Sequence, residues 1–255
     1  LLSRKNPITW VLKTLEKFLY TKASAIITLT PHADIYITNL GIPQDKIVWI
    51  PNGVVLQRYD SLNDYDGGNP DKFNVMYIGG HLPAYGLDTI LKAAKIIQDD
   101  GESRLRITFV GGGADKIRLV KYAQKLKLHN VKFHNPVPKS QVPEVMKEAD
   151  AFIHTIRDLP VLKYGISSNK LCDYLASRRP IIFAINAANN PVQESGAGIS
   201  VSPENPAYLS HAIKTIMSMK PEERVEMGNK GLEYAKKTYD IDVLADKLER
   251  MLKNL

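Results

Sequence analysis

Three segments carry residues whose types and spacing suit phosphate or nucleotide chemistry. The longest is Tyr164-Gly165-Ile166-Ser167-Ser168-Asn169-Lys170-Leu171-Cys172-Asp173-Tyr174-Leu175-Ala176. Ser167 or Ser168 can cap a helix starting here, and helical spacing then puts Asn169 and Asp173 on one face with Lys170 beside Asp173. A lysine in a first turn opposes the helix dipole, which favours anions at that end. An anionic ligand resolves the conflict. Lys170 and the free amides of the first turn would hold a diphosphate, and Asp173, one turn on, would accept hydrogen bonds from ribose hydroxyls. The alternative is a surface Lys170–Asp173 pair of little energetic consequence.

The second segment, Tyr77-Ile78-Gly79-Gly80-His81, ends an apolar run in paired glycines. Glycines there permit close backbone approach, and outward-pointing amides suit phosphate oxygens, although a tight strand-to-helix turn needs the same residues. The third, Val110-Gly111-Gly112-Gly113-Ala114, lacks the last glycine of a dinucleotide fingerprint, because Lys116 stands three positions past Gly113. No acidic residue follows at the required distance, so nicotinamide-cofactor binding is set aside in favour of a structural turn or a loop beside a sugar or nucleotide. Arg157 and Asp158 follow a strand ending at His154 and are candidates for lining a sugar pocket. His154 itself reads as a cleft residue or a satisfied core group. The six histidines show no metal-ligand spacing. Cys172, the single cysteine, excludes an internal disulfide and a cysteine metal cluster, fits a reducing compartment, and reads as a core-facing small hydrophobe. Trp10 and Trp49 read as packing residues.

These segments need a scaffold, and the pattern supplies one. Strand-like runs at 73–78, 105–110, 131–134, 150–154, 180–185 and 198–201 alternate with helix-like runs at 87–98, 115–126, 141–148, 169–177, 190–194 and 207–217. Strands joined by helix-length crossovers run parallel, and right-handed crossovers place helices on both faces. The fold class is α/β, a Rossmann-like doubly wound parallel sheet, in which ligands bind at the carboxyl ends of the strands. Helical stretches at 221–238 and 243–252 close the chain. Before the sheet come a helix at 9–21, a strand at 25–29, a helix from Pro31, a strand at 46–50 and a Pro51-Asn52-Gly53 turn. Residues 61–70, rich in Asp, Asn and Gly, read as an exposed linker. The division is 1–60 as the end of a preceding domain and hinge, 71–238 as the ligand-binding domain, and 239–255 as a helix packing back on the first part.

The 255 residues, 44% hydrophobic and 24% charged, are those of an ordinary globular chain. No apolar run reaches the roughly 20 residues needed to span a bilayer, and Leu1-Leu2-Ser3-Arg4-Lys5 is not a signal peptide, so the cytoplasm is expected. The chain opens without a methionine, which reads as part of a longer protein. A net charge of +7 suits anionic partners. Arg4, Lys5, Lys13, Lys17 and Lys22, interleaved with Trp10, Leu12, Leu15, Phe18, Leu19 and Tyr20, form a basic amphipathic helix, which either packs on a missing domain or touches a membrane surface.

The run from Tyr164 through Ala176 into Ser177-Arg178-Arg179-Pro180-Ile181-Ile182 resembles the signature of a bacterial surface-polysaccharide subgroup of family 4 retaining glycosyltransferases. Ala23–Thr30, Ile50-Pro51-Asn52-Gly53-Val54, Gly86-Leu87-Asp88, Val110–Gly113, Asn130–Phe133 and Ala149-Asp150-Ala151 are similar to further blocks in the same order. The resemblance implies a GT-B architecture of two Rossmann-like domains facing across a cleft, with this chain supplying the C-terminal donor half and the end of the acceptor half. It implies transfer of a sugar from a nucleotide diphosphate, uridine diphosphate by family, to a glycan or lipid-linked acceptor with retention of configuration. No cofactor, metal or nucleic acid is called for, and peripheral contact with the inner face of the membrane is implied by lipid-linked acceptors.

By the same resemblance Asn169 and Lys170 lie at the diphosphate, Asp173 at the ribose, Gly79, Gly80 and His81 beside the phosphates, and Val137 at the base. Gly111, Gly113, Tyr164 and Gly165 complete the donor set, and Lys170 is the catalytic residue, stabilising the leaving diphosphate. Asp173 stands where the family has glutamate, Tyr85 where many relatives have a phosphate-binding lysine, and Ser167 where the subgroup has proline. Two other readings are a non-catalytic nucleotide-sugar-binding subunit and a nucleotide-sugar epimerase of the same fold.

Overall fold

A computed structural model describes residues 6–69 and 71–255. The leader reading of 1–5, Arg4 and Lys5 of the basic helix, and Pro70 lie outside the described residues. The chain runs α1 (Pro7–Lys22), β1 (Ile26–Thr28), α2 (Ala33–Thr38) and β2 (Ile47–Trp49), then a 3-10 stretch at Leu56–Leu62. The main domain follows as β3 (Phe73–Ile78), α3 (Asp88–Asp99), β4 (Leu105–Val110), α4 (Lys116–Lys125), β5 (Val131–His134), α5 (Val142–Met146), β6 (Ala151–Thr155), α6 (Asn169–Ala176), β7 (Ile181–Ala184), α7 (Pro191–Ser195), β8 (Gly198–Ser200) and α8 (Pro206–Ser218). Helices α9 (Pro221–Thr238) and α10 (Ile241–Lys253) finish it.

Six parallel strands lie in the order β5-β4-β3-β6-β7-β8, so the chain winds outward first on one side of β3 and then on the other. That order is the doubly wound Rossmann arrangement, with its switch point between β3 and β6. The four central strands, β3, β4, β6 and β7, are largely buried on both faces, as expected inside a parallel sheet, while the edge strands β5 and β8 are only half-buried. Along β3, Phe73, Val75 and Tyr77 pack into one layer with residues of α3, α4 and α8. Met76 and Ile78 enter the opposite layer, with Leu171 and Leu175 of α6 and Ala235 of α9. Pairing of β3 with β6 covers Val75↔Ala151 and Met76↔Phe152. Beyond Met76 the two strands part. The hydroxyl of the buried Tyr174, on α6, fills the gap: it accepts from Ile78 N at 2.9 Å and donates to Ile78 O at 3.1 Å.

Ahead of the sheet, β1 and β2 form a two-stranded parallel pair. Residues 49–54 lie against α10: Val54 N donates to Tyr239 O at 2.7 Å, Ile241 N donates to Val54 O at 3.1 Å, and the Lys247 ammonium sits 5.3 Å from the Trp49 ring centre. Helix α10 starts two residues before the expected 243 because Asp240 caps it, accepting from Asp242 N. Trp10, expected to pack, is 70% exposed, and Ile8, Val11, Leu12, Leu15, Phe18 and Leu19 of the same helix are exposed with it. The expected exposed linker is instead a packed strap. Leu62 is buried, the Arg179 guanidinium covers the Tyr65 ring, and Arg224 donates to Gly67 O at 2.6 Å. Among the described residues no helix is long and apolar enough to cross a membrane.

Candidate functional site

The carboxyl ends of β3, β4 and β5 and the N-terminus of α6 enclose a cleft of about 630 Å³. Its walls include Gly79, Gly80, Gly111, Gly113, Val137, Lys139, Met146, Asn169, Lys170 and Asp173. The glycine loops after β3 and β4 touch backbone to backbone. Gly111 adopts φ +145°, and a Cβ there would lie 2.0 Å from Gly79 O, so no other residue fits. Gly79 N donates to Val110 O and His81 N to Gly112 O, which locks the two loops together. Two of the amides expected to face a ligand are thereby used internally. Among the described residues the amides of Gly80, Asn169 and Lys170 have no acceptor.

Helix α6 is held by its buried side, Leu171, Cys172, Tyr174, Leu175 and Ala176. Ser168 takes the N-cap position but its side chain does not cap; its hydroxyl lies 3.5 Å from His154 Nε2. Ser167 serves the hinge, its hydroxyl accepting from Asn52 N at 2.9 Å. The first turn therefore keeps its unsatisfied donors and its positive end, and Lys170 adds a cation there.

Lys170 and Asp173 do not pair with each other, so the surface ion pair is excluded. The Lys170 ammonium is half-buried, donates to Tyr77 Oη at 3.1 Å and lies 3.6 Å from the Tyr85 ring centre. Among the described residues no carboxylate faces it, and burial pushes it down to about 7. Asp173 is half-buried and lies near the Tyr59 hydroxyl. Burial raises its carboxyl above the usual range, against the opposing pull of Tyr59 and Lys139.

Not every expected residue joins the cleft. The His81 imidazole is fully buried among Tyr77, Phe109 and Phe133, without a hydrogen-bond partner on either nitrogen. Burial, with Lys116 nearby, pushes it down to about 4, so it is a neutral packing group; a Cβ at Gly111 would lie 3.4 Å from its Nε2, and its backbone borders Gly113. Tyr164 turns toward the first part of the chain, its ring edge-on to Tyr36 and its carbonyl accepting from His32 N. Gly165 lies where a Cβ would be 2.7 Å from both Pro31 and Asn189 Oδ1. Arg157 is bound to Asp88, Glu204 and Pro83 O and is not on the cleft wall. Asp158 borders a different depression of about 610 Å³ with Asn186, Asn190, Ser200 and Glu204. His154 is buried and neutral, a core group with Nδ1 unpartnered. Sequence reasoning missed Tyr59, Tyr77 and Lys139. Lys139, two positions past Val137, was the one with a local signal.

An open parallel sheet of this strand order, with a glycine-walled crevice at its switch point, belongs to the doubly wound α/β class. The chain is a member of the Glycosyl transferases group 1 family, whose profile matches residues 65–234. It is 21% identical over 214 residues to an uncharacterized glycosyltransferase of Methanocaldococcus jannaschii, covering 82% of this chain and 53% of that one. It is 23% identical over 212 residues to the putative colanic acid biosynthesis glycosyl transferase WcaI of Escherichia coli K12, covering 78% and 50%. The chain thus spans about half the length of these relatives. Among solved structures, sucrose-phosphate synthase of Thermosynechococcus elongatus superposes with a TM-score of 0.77 at 18% identity, over 94% of this chain and 60% of that one. Anabaena HepE in complex with UDP superposes at 0.75 and 16%, over 91% and 64%. The fold is that of GT-B glycosyltransferases.

Proposed function

We propose that this chain is the donor-binding half of a metal-independent, retaining family 4 glycosyltransferase of the surface-polysaccharide subgroup. It takes a sugar from a nucleotide diphosphate, uridine diphosphate foremost, for transfer to a glycan or lipid-linked acceptor at the cytoplasmic face of the membrane. Residues up to 60 are read as the end of the acceptor half, with 71–238 as the donor domain. The observation that carries the reading is Lys170: a half-buried ammonium with no carboxylate, at the positive end of α6, on the wall of a glycine-lined cleft. Such a cation is held in reserve for an anion.

The diphosphate would lie against the Gly80, Asn169 and Lys170 amides and the Lys170 ammonium, with the ribose at Asp173 and the base beside Val137 and Lys139. As the glycosidic bond breaks, negative charge grows on the leaving diphosphate, and fixed amides and an ammonium stabilise that charge without having to reorganise. The presence of UDP in the HepE structure supports uridine as the first base to test. Calorimetric titration of this chain with uridine and guanosine diphosphates and their sugars tests the reading. Saturable binding of one of them is expected; a folded chain that binds none of them refutes it.

A further inference from the structure

Tyr85 sits against the group on which the donor reading rests. Lys170 Nζ is 3.6 Å from the Tyr85 ring centre and donates to Tyr77 Oη at 3.1 Å. Tyr77 Oη passes its own hydrogen to Gly80 O at 2.7 Å, which ties this contact to the glycine loop. An ammonium has three hydrogens. One goes to Tyr77, one edge of the cation rests on the Tyr85 π-face, and the remaining direction is left for the cleft.

The Tyr85 ring is pinned from behind through its backbone. Thr155 Oγ1 donates to Tyr85 O at 2.6 Å, Arg157 N donates to Ala84 O at 2.9 Å, and Arg157 Nε donates to Pro83 O at 2.9 Å. The Arg157 guanidinium is in turn clamped by Asp88 and by Glu204, whose backbone is held at φ +56°. Strain of that kind in a residue other than glycine persists where surrounding contacts enforce it. The Tyr85 hydroxyl makes no hydrogen bond among the described residues, so the ring alone is in use.

We propose that Tyr85 is a positioning residue for Lys170: its ring, on a backbone held by Thr155 and Arg157, holds the Lys170 ammonium toward the donor diphosphate. The proposal rests on the donor-binding reading above. It assigns Arg157 a role in supporting the site from outside the cleft. Loss of the Tyr85 ring lowers the population of Lys170 oriented toward the cleft, and affinity with it, by up to roughly 2- to 30-fold.

The test uses the 255-residue chain with lysine side chains labelled with carbon-13. In the ligand-free protein the Lys170 Cε resonance, assigned with Lys170→Met, is expected to be displaced by ring currents in the wild type and in Tyr85→Phe. In Tyr85→Leu the displacement contributed by the Tyr85 ring should be lost. Calorimetry with uridine and guanosine diphosphates should show Tyr85→Phe binding as the wild type does and Tyr85→Leu binding roughly 2- to 30-fold more weakly. In a Lys170→Met background Tyr85→Leu should have no further effect. A Lys170 resonance that is the same in wild type and Tyr85→Leu overturns the proposal whatever the nucleotides do. So does wild-type affinity in Tyr85→Leu beside a weakened Lys170→Met, a result that leaves the donor reading intact. A ring-shifted Lys170 in a chain that binds no nucleotide removes the donor reading and, with it, the role assigned to Tyr85.

Discussion

Replacing Lys170 by methionine keeps the length and the apolar stem while removing the charge, and its effect on donor affinity can be worked through. An ammonium and a phosphate oxygen about 4 Å apart attract by about 4 kcal/mol at an effective dielectric constant of about 20. Lys170 is half-buried at the mouth of an open cleft, so solvent screening reduces this, and a charge-assisted hydrogen bond contributes about 1.5–3 kcal/mol net. Taking about 2 kcal/mol, the charged wild type should bind a nucleoside diphosphate roughly 30-fold more tightly than Lys170→Met.

That advantage depends on pH, and the sign follows from the direction of the shift. Burial holds Lys170 down to about 7 in the empty cleft. A bound diphosphate favours the ammonium and raises its pKa, by about 1.5 units for a 30-fold effect. Binding therefore takes up a proton above pH 7, and wild-type affinity falls as pH rises through the interval between the two values. The ratio of wild-type to Lys170→Met affinity should be about 16 at pH 7, about 4 at pH 8 and near 1 at pH 9. The terminal phosphate of the nucleotide, with its second pKa near 6, is largely ionised across this range. Calorimetry at the three pH values, each in two buffers of different ionisation enthalpy, measures affinity and proton uptake together. A ratio that stays constant from pH 7 to 9 would show that Lys170 is already charged in the empty cleft. Equal affinities at pH 7 would remove Lys170 from the diphosphate altogether.

Three further outcomes follow from the same geometry. Gly111→Ala, whose new Cβ would meet Gly79 O at 2.0 Å with φ at +145°, should cost about 3 kcal/mol and lower Tm by roughly 6–12 °C; an unchanged Tm would mean that the two glycine loops do not touch. Tyr174→Phe removes the hydroxyl that serves both Ile78 N and Ile78 O. It should destabilise the chain by about 2–3 kcal/mol and speed hydrogen exchange at the Ile78 amide, and wild-type protection at that amide would rule the bridging role out. Asp173→Asn should weaken uridine diphosphate about tenfold while leaving its 2′,3′-dideoxy analogue unaffected, and an equal loss for both nucleotides would detach Asp173 from the ribose.

The sheet was legible because parallel strands buried on both faces appear as short continuous apolar runs, and the crossovers between them are of helix length. The runs at 73–78 and 105–110 coincide with β3 and β4, and the alternating run at 131–134 coincides with the half-buried edge strand β5. Reading failed where a segment's partners lie far along the chain. The polar stretch at 61–69 has linker composition, yet Tyr65 and Gly67 are fixed by Arg179 and Arg224 from more than a hundred positions away. At the site, spacing correctly put Lys170 and Asp173 in adjacent turns of one helix but could not say where either side chain goes. Lys170 turns to Tyr77, 93 positions earlier, and Asp173 turns to Tyr59. Tyr85 stood out in the sequence only as a missing cation.

Besides the contacts with α10, the first part of the chain binds the main domain on the segment that carries Lys170. Asn52 N donates to Ser167 Oγ, Asn52 Nδ2 donates to Ser167 O at 3.1 Å, and the Cys172 thiol donates to Asn52 O at 3.4 Å. The loop before α6, through Ser167, and its first turn, through Cys172, are thus bound at one point to the Pro51-Asn52-Gly53 turn. Tyr59, a few residues on, reaches the Asp173 carboxyl from the same side. A rotation of residues 6–54 about this turn would carry strain into the N-terminus of α6, because these hydrogen bonds join the turn to it and the buried face of the helix is close-packed. The geometry of the candidate diphosphate site is therefore set jointly by the sheet, through Tyr77 and Tyr174, and by the hinge, through Asn52 and Tyr59. Neither part of the chain fixes it alone.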